Sequence, residues 1–422
     1  MAALARPRPP PSAGQEPKDK YAFWETQPVV QFGGDDDDAA ADGPVDAPKT
    51  PADVRPDPLP LPAGFAWAAV DVTDAAQVEA LHALLHSHYV EDDDEAFRFD
   101  YSAPFLAWAL TPPGHVPDWH VGIKAAASGR LVAFISGVPV TLRVGGKKEQ
   151  GDGATPPPPH SLAAAEVNFL CVHKKLRAKR LAPVLIKELT RRINRAGVWQ
   201  AAYTAGVVLP RPVATARYWH RSLNVRKLVE VGFTGLPPRQ TLAHAVKLHR
   251  LPATTATPGL VAMTEEDVAG VAALLARRAE SHRLAPLFSE AEVAHYMLPR
   301  PGVVHTHVAR NGPGGSVSDV ASFYTLPSTV VRRTGGHDTL VAAFQWYTVA
   351  TSVPDAKLAA DALALARGAG HDVYNCLDIS TNASILADLK FAPGDGRLRY
   401  YLFNWRVAGG GMEAGDVGLI ML

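Results

Sequence analysis

One stretch of the chain decides the fold: residues 166–193 read EVNFLCVHKKLRAKRLAPVLIKELTRRI. Its first seven residues alternate in character, with Val167, Phe169 and Cys171 on one face, which is typical of a half-buried strand. Cys171 is interpreted as a small core residue of that strand. Aliphatic residues then recur at helical spacing, at Leu181, Leu185, Leu189 and Ile193. The stretch therefore predicts a strand, a loop and a helix in that order.

The loop between this strand and helix is strongly basic. Its five cations are Lys174, Lys175, Arg177, Lys179 and Arg180. Free N–H groups and the positive end of a helix dipole attract anions, so we expect a phosphate-bearing ligand here; the alternative is a solvated basic turn. The chain has neither Gly-x-x-x-x-Gly-Lys-Ser/Thr nor Gly-x-Gly-x-x-Gly after a strand, which argues against a P-loop and a dinucleotide fold.

Working outward, the same order of elements occurs twice. In the first half we predict helices over 78–89 and 105–110, and strands over 119–124 and 131–144. In the second half we predict strands over 320–325, 340–349 and 372–379 and a helix over 358–366. Gly137 and Pro139 predict a bulge, and residues 145–165 a flexible excursion between strands. The pattern predicts an α/β fold with a mixed sheet built from two related halves.

Composition excludes several classes of protein. Lys and Arg number 42, as do Asp and Glu, which argues against a nucleic-acid binder that works by bulk charge. The two cysteines, Cys171 and Cys376, exclude a disulfide scaffold and a zinc ribbon. His82 and His86 are spaced four residues apart, and His88 follows them. They lack the Glu of a His-Glu-x-x-His site and a third ligand nearby, so we interpret them as surface positions of a helix and expect no metal. No apolar run approaches the length of a membrane span, and no secretory signal is evident; we expect a cytoplasmic monomer.

The first 62 residues contain 13 of the 36 prolines, together with the acidic run at 35–38. Such a composition cannot bury enough apolar surface to offset its chain entropy, so we predict a largely disordered tail. The aromatic cluster Tyr21, Phe23 and Trp24 interrupts it and predicts a segment strapped onto the domain, either as packing alone or as a cover over a ligand. A second acidic run, at 91–95, is interpreted as a solvated loop that could also receive a basic peptide.

The C-terminus is apolar, ending in Leu419-Ile420-Met421-Leu422. Protein termini are usually polar and frayed, so this ending predicts a buried terminus. Burial would carry the α-carboxylate inward, which is costly unless that carboxylate is hydrogen-bonded or functional.

These residues resemble one family, the eukaryotic N-myristoyltransferases. The resemblance lies in EVNFLCVHKKLRAKRLAP at 166–183, YVEDDDEAFRFDY at 89–101, RYWHRSLNVRK at 217–227 and VGLIML at 417–422, and it extends over nearly the whole chain from residue 20. It implies two acetyltransferase-like (GNAT-like) halves related by a pseudo-twofold axis. By that resemblance, residues 1–57 are a tail with an acyl-CoA strap at about 18–32, residues 58–215 bind acyl-CoA, and residues 216–422 bind peptide.

The resemblance also implies roles for individual residues. The main-chain amides of Phe169 and Leu170 would form an oxyanion hole, and the α-carboxylate of Leu422 would be the base. Myristoyl-CoA would be held by Ala22, Phe23, Trp24, Phe169, Leu170, Cys171, Val172, Ala178, Arg180, Leu181 and Ala182. The peptide would contact Tyr89, Phe97, Phe99, Asn168, Thr204, Tyr218, His220 and Asp395. Ala22 and Ala178 depart from the family pattern, which leaves only main-chain contacts at those two positions.

The implied reaction is transfer of a myristoyl group from myristoyl-CoA, a co-substrate, to the N-terminal glycine of client proteins, with no cofactor and no nucleic-acid partner. The tail could additionally contact the ribosome or a membrane surface. Two alternatives stay open at this point. One is a general acetyltransferase, which would explain the basic loop but not the apolar C-terminus. The other is a non-catalytic lipid or acyl-peptide binding module, and acyl transfer to a Gly peptide distinguishes all three.

Overall fold

A computed structural model describes the chain in six segments, which are residues 21–32, 41–90, 96–146, 158–312, 314–332 and 334–422. Much of the predicted tail and the acidic run at 91–95 therefore lie outside the described residues. Within the described segments, no helix has the length and apolar character needed to cross a bilayer.

The helices of the described segments are α1 Ala75–His88, α2 Ala103–Leu110, α3 Leu181–Arg195, α4 Val225–Glu230, α5 Leu242–Leu248, α6 Val268–Ala279, α7 Glu290–Met297 and α8 Asp355–Gly368. The strands are β1 Phe65–Ala69, β2 Phe97–Phe99, β3 His120–Ala125, β4 Leu131–Val144, β5 His160–Val172, β6 Gln200–Ala205, β7 Ala214–Ser222, β8 Val261–Ala262, β9 Leu284–Pro286, β10 Val304–Arg310, β11 Val317–Val330, β12 Thr339–Val349, β13 Val373–Leu377 and β14 Ala392–Phe403.

The strands form one mixed sheet in the order β1-β3-β4-β5-β6-β14-β7-β13-β12-β11-β10-β8, while β2 pairs with β11 and β9 with β4. The first half runs β3-β4-β5-α3-β6-β7 along the chain, and the second runs β10-β11-β12-α8-β13-β14. In each half the helix connects two parallel strands, β5 to β6 and β12 to β13. A helical crossover is the usual way to join parallel neighbours.

The two halves exchange their last strands. β14 of the second half pairs with β6, and β7 of the first half pairs with β13. Two short strands are exchanged in the same way. β2 of the first half pairs with β11 of the second, and β9 of the second half pairs with β4 of the first. This reciprocal pairing confirms the predicted mixed α/β fold with two pseudo-twofold-related halves.

Local sequence signals account for most element boundaries. Helix α1 begins where Asp74 caps it by accepting a hydrogen bond from the Gln77 N–H, and α3 carries its proline in the first turn. The predicted excursion at 145–165 is too long at its C-terminal end, because β5 already begins at His160 and pairs with β4 there. The predicted bulge at Gly137 and Pro139 is wrong, because both residues pair in register with β5; the irregularity of this ladder lies opposite Ile135, and its extra residue belongs to β5.

Residues 41–57, which the sequence assigns to the disordered tail, are held on the domain. Gly43 forms a β-bridge with Arg406, the Asp46 N–H donates to the Asn404 side chain (2.8 Å), and Asp42 accepts from the Ala408 N–H (2.6 Å). These bonds reach a distant part of the chain, so composition alone does not reveal them. The prediction of disorder is therefore wrong for this part of the tail.

Candidate functional site

The site begins at a bulge in β5. Cys171 pairs with Phe134 and Asn168 with Ser136, so Phe169 and Leu170 together face a single residue of β4. Phe169 adopts the left-handed region (φ 56°), and its buried ring packs against Tyr89 and Tyr101, with centroids 5.9 and 5.3 Å away. Such backbone strain persists where packing over-determines it, often at functional sites.

The bulge turns main-chain N–H groups away from the strand ladder. The pairing register of β5 with β4 skips Phe169 and Leu170, and the Ser136 hydroxyl donates to the Asn168 carbonyl (3.0 Å). The next side chain, Leu170, is exposed. Two adjacent peptide units are therefore available near one point, which is the arrangement needed to stabilise a developing oxyanion.

A cavity of about 460 Å³ opens from this bulge and runs between the sheet and α3. Its walls are mainly apolar. They include Ile135 and Val167 from the sheet, Ile186, Leu189 and Ile193 from α3, and Ala201 and Phe403 from the neighbouring strands. An elongated, largely apolar space of this kind fits an aliphatic chain.

The start of α3 is exposed and positively charged. A 3-10 turn at Lys174–Lys179 leads to Arg180, whose φ of 56° places it in the left-handed region immediately before the helix, and the first turn of α3 contains no acidic residue. Arg177 donates to the His88 carbonyl (2.9 Å). Burial lowers the pKa of His88 to about 4, with further lowering from neighbouring His173, Lys174 and Arg177, so its imidazole stays neutral at pH 7. The start of α3 therefore combines positive charge with a helix N-terminus that lacks acidic residues, which favours an anion there.

The N-terminal strap covers one side of the cavity. Trp24 stacks on Tyr203 with centroids 5.6 Å apart, and Tyr203 stacks on Tyr401 at 5.1 Å. The Lys187 ammonium lies 5.8 Å from the centre of the Phe23 ring. Both Phe23 and Trp24 line the cavity, so the strap is positioned to act as a cover.

The C-terminal tail reaches the same cavity from the other half of the protein. The Gly418 N–H donates to the Leu284 carbonyl (2.7 Å), and the Tyr400 hydroxyl donates to the Leu419 carbonyl (3.0 Å). The Ile420 N–H donates to the Tyr347 hydroxyl (3.3 Å). Leu422, the last residue, lines the cavity beside the bulge. The tail is therefore buried and fixed by successive hydrogen bonds, as its apolar sequence predicts.

An aromatic groove continues from the bulge into the second half. Phe97 packs against Phe233 (5.7 Å), and Phe99 packs against Phe344 (6.0 Å). His220 is hydrogen-bonded through Nδ1 to the Asn375 side chain (2.7 Å). Burial lowers the pKa of His220, while Asn375 and Asp395 oppose that shift, so the ring is neutral at pH 7.

Residues 44–216 match the family model described as the N-terminal domain of myristoyl-CoA:protein N-myristoyltransferase, and residues 230–420 match its C-terminal domain. The chain belongs to the N-myristoyltransferase family. It is an acyltransferase by that membership.

Named relatives of this family align along almost the whole chain. Glycylpeptide N-tetradecanoyltransferase 2 of Danio rerio is 46% identical over 404 residues, which cover 96% of this chain and 78% of that protein. Glycylpeptide N-tetradecanoyltransferase of Dictyostelium discoideum is 46% identical over 97% of this chain and 94% of its own length. The crystal structure of Saccharomyces cerevisiae N-myristoyltransferase with bound myristoyl-CoA aligns with a TM-score of 0.86 and 39% identity, covering 95% of this chain and 99% of that one.

The structure of this N-myristoyltransferase family member brings together many of the expected site residues. Those that line the cavity are Phe23, Trp24, Tyr89, Asn168, Phe169, Leu170, Ala182, Thr204 and Leu422. The side chains of Cys171, Val172 and Leu181 are buried in the core. Only their main chains are therefore candidates for ligand contact. Ala22, Ala178 and Arg180 are exposed at the edge of the site. Tyr218 and His220 are partly buried on β7, outside the lining of this cavity, and Asp395 is exposed near His220.

The expected residues omit several that the structure places at the site. Glu166 accepts a hydrogen bond from the Asn168 side chain (2.7 Å), although it appears in the sequence only as part of the resembling motif. A carboxylate within a largely apolar strand is the signal that could have identified it. Tyr203, beneath Trp24, gives no such signal, since an aromatic residue in a strand is ordinary core composition.

Proposed function

We propose that this family member transfers the myristoyl group of myristoyl-CoA to the N-terminal glycine amine of proteins. The observation that carries the proposal is that one apolar cavity is lined at the same place by the β5 bulge and by the chain's last residue. Burying the fourteen-carbon chain contributes at most roughly 10 kcal/mol, at about 0.8 kcal/mol per CH₂. This is enough to select acyl-CoA substrates by length.

The position of the cavity also indicates where the CoA part of the donor binds. With the acyl chain along α3 and the thioester at Phe169, the pantetheine passes the start of α3. The CoA phosphates then meet Arg180, Lys179 and the helix amides. The strap residues Phe23 and Trp24 close over the bound acyl chain.

The acceptor needs only modest activation. An N-terminal amine has a pKa of about 7.7–8.0, so a single carboxylate suffices to remove one proton near neutral pH. The Leu422 α-carboxylate takes that proton from the glycine ammonium and later releases it to solvent. The tail's hydrogen bonds hold this base beside the bulge.

The neutral amine then attacks the thioester carbon directly. As the C–N bond forms, the carbonyl electrons move to oxygen, where the Phe169 and Leu170 N–H groups stabilise the charge. Collapse of the intermediate breaks the C–S bond, and the CoA thiolate takes a second proton from nitrogen, leaving the amide and free CoA.

The acceptor is expected to begin with glycine because Asn168 and Thr204 line the cavity on either side of the attacking nitrogen's approach. A Cβ on the first residue would collide with this narrow passage. The test is incubation with acetyl-, decanoyl-, myristoyl- and palmitoyl-CoA and with peptides that begin with Gly or Ala, with products identified by mass. Myristoyl-Gly peptide is the expected major product. Comparable turnover of the Ala peptide, or acetyl-CoA as the best donor, would contradict the proposal.

A further inference from the structure

A cleft of about 570 Å³ lies where α4, α5 and the last turn of α8 meet, and we call it the α4–α5 cleft. It shares no lining residue with the acyl-chain cavity. Its charged lining residues are Arg226, Lys247, Arg250 and Arg367, and the described residues that line it include no Asp or Glu. In a protein of zero formal net charge, a cleft lined by charges of one sign indicates an anionic ligand.

Three of these four cations are unpaired. The side chains of Arg226, Lys247 and Arg250 are exposed, and none has an ion-pair or hydrogen-bond partner among the described residues. The fourth cation donates to two main-chain carbonyls that follow α5 (both 2.9 Å). The acid that bonds to the cleft wall, Asp372, is buried and pairs with Lys227 (2.7 Å), so it does not offset the three unpaired charges.

A buried arginine adds positive charge behind the cleft wall. Arg221 is 2% exposed and donates to main-chain carbonyls and to Nδ1 of His249 (2.6 Å), with no carboxylate partner in the described part of the chain. Burial lowers the pKa of Arg221 to about 10, so it stays charged at pH 7. Burial, with Arg221 and Lys390, lowers the pKa of His249 to about 4, so that ring is neutral. Because its Nδ1 accepts a hydrogen bond, its Nε2 carries the proton and adds a donor to the cleft lining.

Exposed aliphatic side chains border the same cations. Val246 and Leu248 are 44% and 41% exposed, and they flank Lys247 on α5. At a lipid surface, cations meet the headgroup phosphates while apolar side chains enter the acyl boundary, so this combination is typical of membrane contact. Among the described residues, no Phe, Tyr or Trp lines the cleft, which therefore lacks the stacking surfaces that hold unpaired nucleic-acid bases.

We propose that the α4–α5 cleft binds the phosphorylated headgroups of an anionic membrane, with Val246 and Leu248 entering the lipid surface beside it. This docking goes beyond the proposed function and does not require it. A single myristoyl chain gives only marginal membrane binding. An acyltransferase held at the lipid surface would therefore release its product where that chain inserts.

The test is sedimentation of the whole chain with vesicles of phosphatidylcholine alone, or of phosphatidylcholine mixed with phosphatidylserine or with phosphatidylinositol bisphosphate. Wild type is expected to bind both anionic vesicles but not the neutral ones, and more weakly as salt screens the charges. A triple variant with Arg226→Gln, Lys247→Gln and Arg250→Gln is expected to bind the anionic vesicles about 100-fold more weakly, as for the loss of three cations near an anionic surface.

The matched control carries Arg130→Gln, Arg195→Gln and Arg277→Gln, which remove the same charge from exposed cations elsewhere on the protein. Its vesicle binding is expected to remain close to that of wild type. A double variant with Val246→Ser and Leu248→Ser should bind anionic vesicles about tenfold more weakly, because less apolar surface enters the lipid. Its affinity for soluble inositol trisphosphate in calorimetry should not change.

Equal vesicle binding by wild type and the triple variant would overturn the inference and place membrane contact on another surface. Binding of inositol trisphosphate without binding of anionic vesicles would overturn it in favour of a soluble phosphate ligand. Tighter binding of single-stranded RNA than of anionic vesicles, lost in the triple variant, would overturn it in favour of nucleic acid.

Thermal melting and single-turnover acyl transfer verify that the variants are folded, since the cleft and the acyl-chain cavity have separate linings. If the triple variant does not fold, Lys247→Gln and Arg250→Gln decide singly. Each is expected to weaken vesicle binding about fivefold, and unchanged binding in both would overturn the inference. Acyl transfer to a Gly peptide tests the proposed function separately, so the two failures are distinguishable.

Discussion

The two halves of the protein contain the same bulge, but only one opens a large cavity. In the second half Ala321 pairs with Thr348 and Phe323 with Gln345, so Trp346 and Tyr347 occupy the positions that Phe169 and Leu170 have in the first. The cavity beside this second bulge holds about 60 Å³, against about 460 Å³ in the first half. The fold alone therefore does not make an acyl-chain site.

Side chains fill and polarise the second cavity. The Gln345 and Asn382 amides pair with each other (3.1 and 2.6 Å), and Arg278 donates to the hydroxyls of Ser380 (3.1 Å) and Thr381 (3.0 Å). Such bonded polar groups give an aliphatic chain no favourable surface.

The two halves also differ in the charge at the start of their crossover helices, α3 and α8. A basic turn precedes α3, whose first turn has no acidic residue, whereas α8 begins with Asp355. Ala178 follows the end of β5 at the same spacing as Asp355 follows β12. An acid at this place would oppose phosphate, which supports the proposal that the donor binds the first half.

The tail links the two cavities. Gly418 and Ile420 line the second cavity, and Leu422 lines the first. The C-terminal tail therefore borders the cavity of the second half, while its last residue borders the cavity of the first half.

The largest expected effect comes from removing or displacing the end of the C-terminal tail. Deleting Met421 and Leu422, or adding a C-terminal tag, is expected to slow single-turnover acyl transfer by about 10²–10⁴, the usual contribution of a positioned base. Leu422→Met keeps the carboxylate and is the control, with a mild effect. Acyl-CoA affinity is expected to change little. Full activity of the tagged protein would move the base role to a side chain, with His220 the next candidate.

The second prediction concerns a substitution that fills part of the first cavity, so that its volume becomes closer to that of the second cavity. Thr190 lines the cavity on α3 with a half-buried side chain, about 12 Å along the helix from Ala182. Thr190→Trp is expected to exclude about four methylenes, worth about 3 kcal/mol or about 100-fold in myristoyl-CoA affinity. Decanoyl-CoA should then bind better than myristoyl-CoA in calorimetry. Arg195→Trp on the exposed side of α3 is the control, and an unchanged chain-length preference in Thr190→Trp would place the acyl chain elsewhere.

The sequence predicts the parts of this comparison that are local. The alternation at 166–172 and the helical spacing after Arg180 anticipate β5 and α3, because these signals depend on near neighbours. The exchange of β7 and β14 and the hydrogen bond from Ile420 to Tyr347 join residues far apart in sequence, so no periodicity reports them. The family resemblance anticipated the strap and the terminal carboxylate, but Glu166 emerged only from the structure.

The third prediction concerns charge. Arg180→Ala is expected to weaken acyl-CoA binding by about 2 kcal/mol, or about 30-fold, as for loss of a charge-assisted hydrogen bond. Ala178→Asp, which copies the acid of α8, should weaken it in the same direction. Arg195→Ala, an exposed cation in the last turn of α3, is the control for general charge. If neither substitution at the start of α3 alters affinity for acyl-CoA in calorimetry, the phosphates do not bind there.

The smallest expected effect concerns the segments that border the two cavities. Trp24 of the strap lines the first cavity, and the C-terminal tail lines the second. Trp24→Ala removes a stacked pair with Tyr203 that is worth about 0.5–1.5 kcal/mol, so myristoyl-CoA should dissociate up to about tenfold faster. Trp24→Phe keeps an aromatic ring over Tyr203 and should dissociate more nearly like wild type. In the proposed function the strap closes over bound acyl-CoA, so peptide affinity should also depend less on prior acyl-CoA binding in Trp24→Ala. Stopped-flow dissociation, together with peptide titration with and without a non-hydrolysable myristoyl-CoA, measures both effects. Equal dissociation rates for wild type and Trp24→Ala would show that the strap is packing alone.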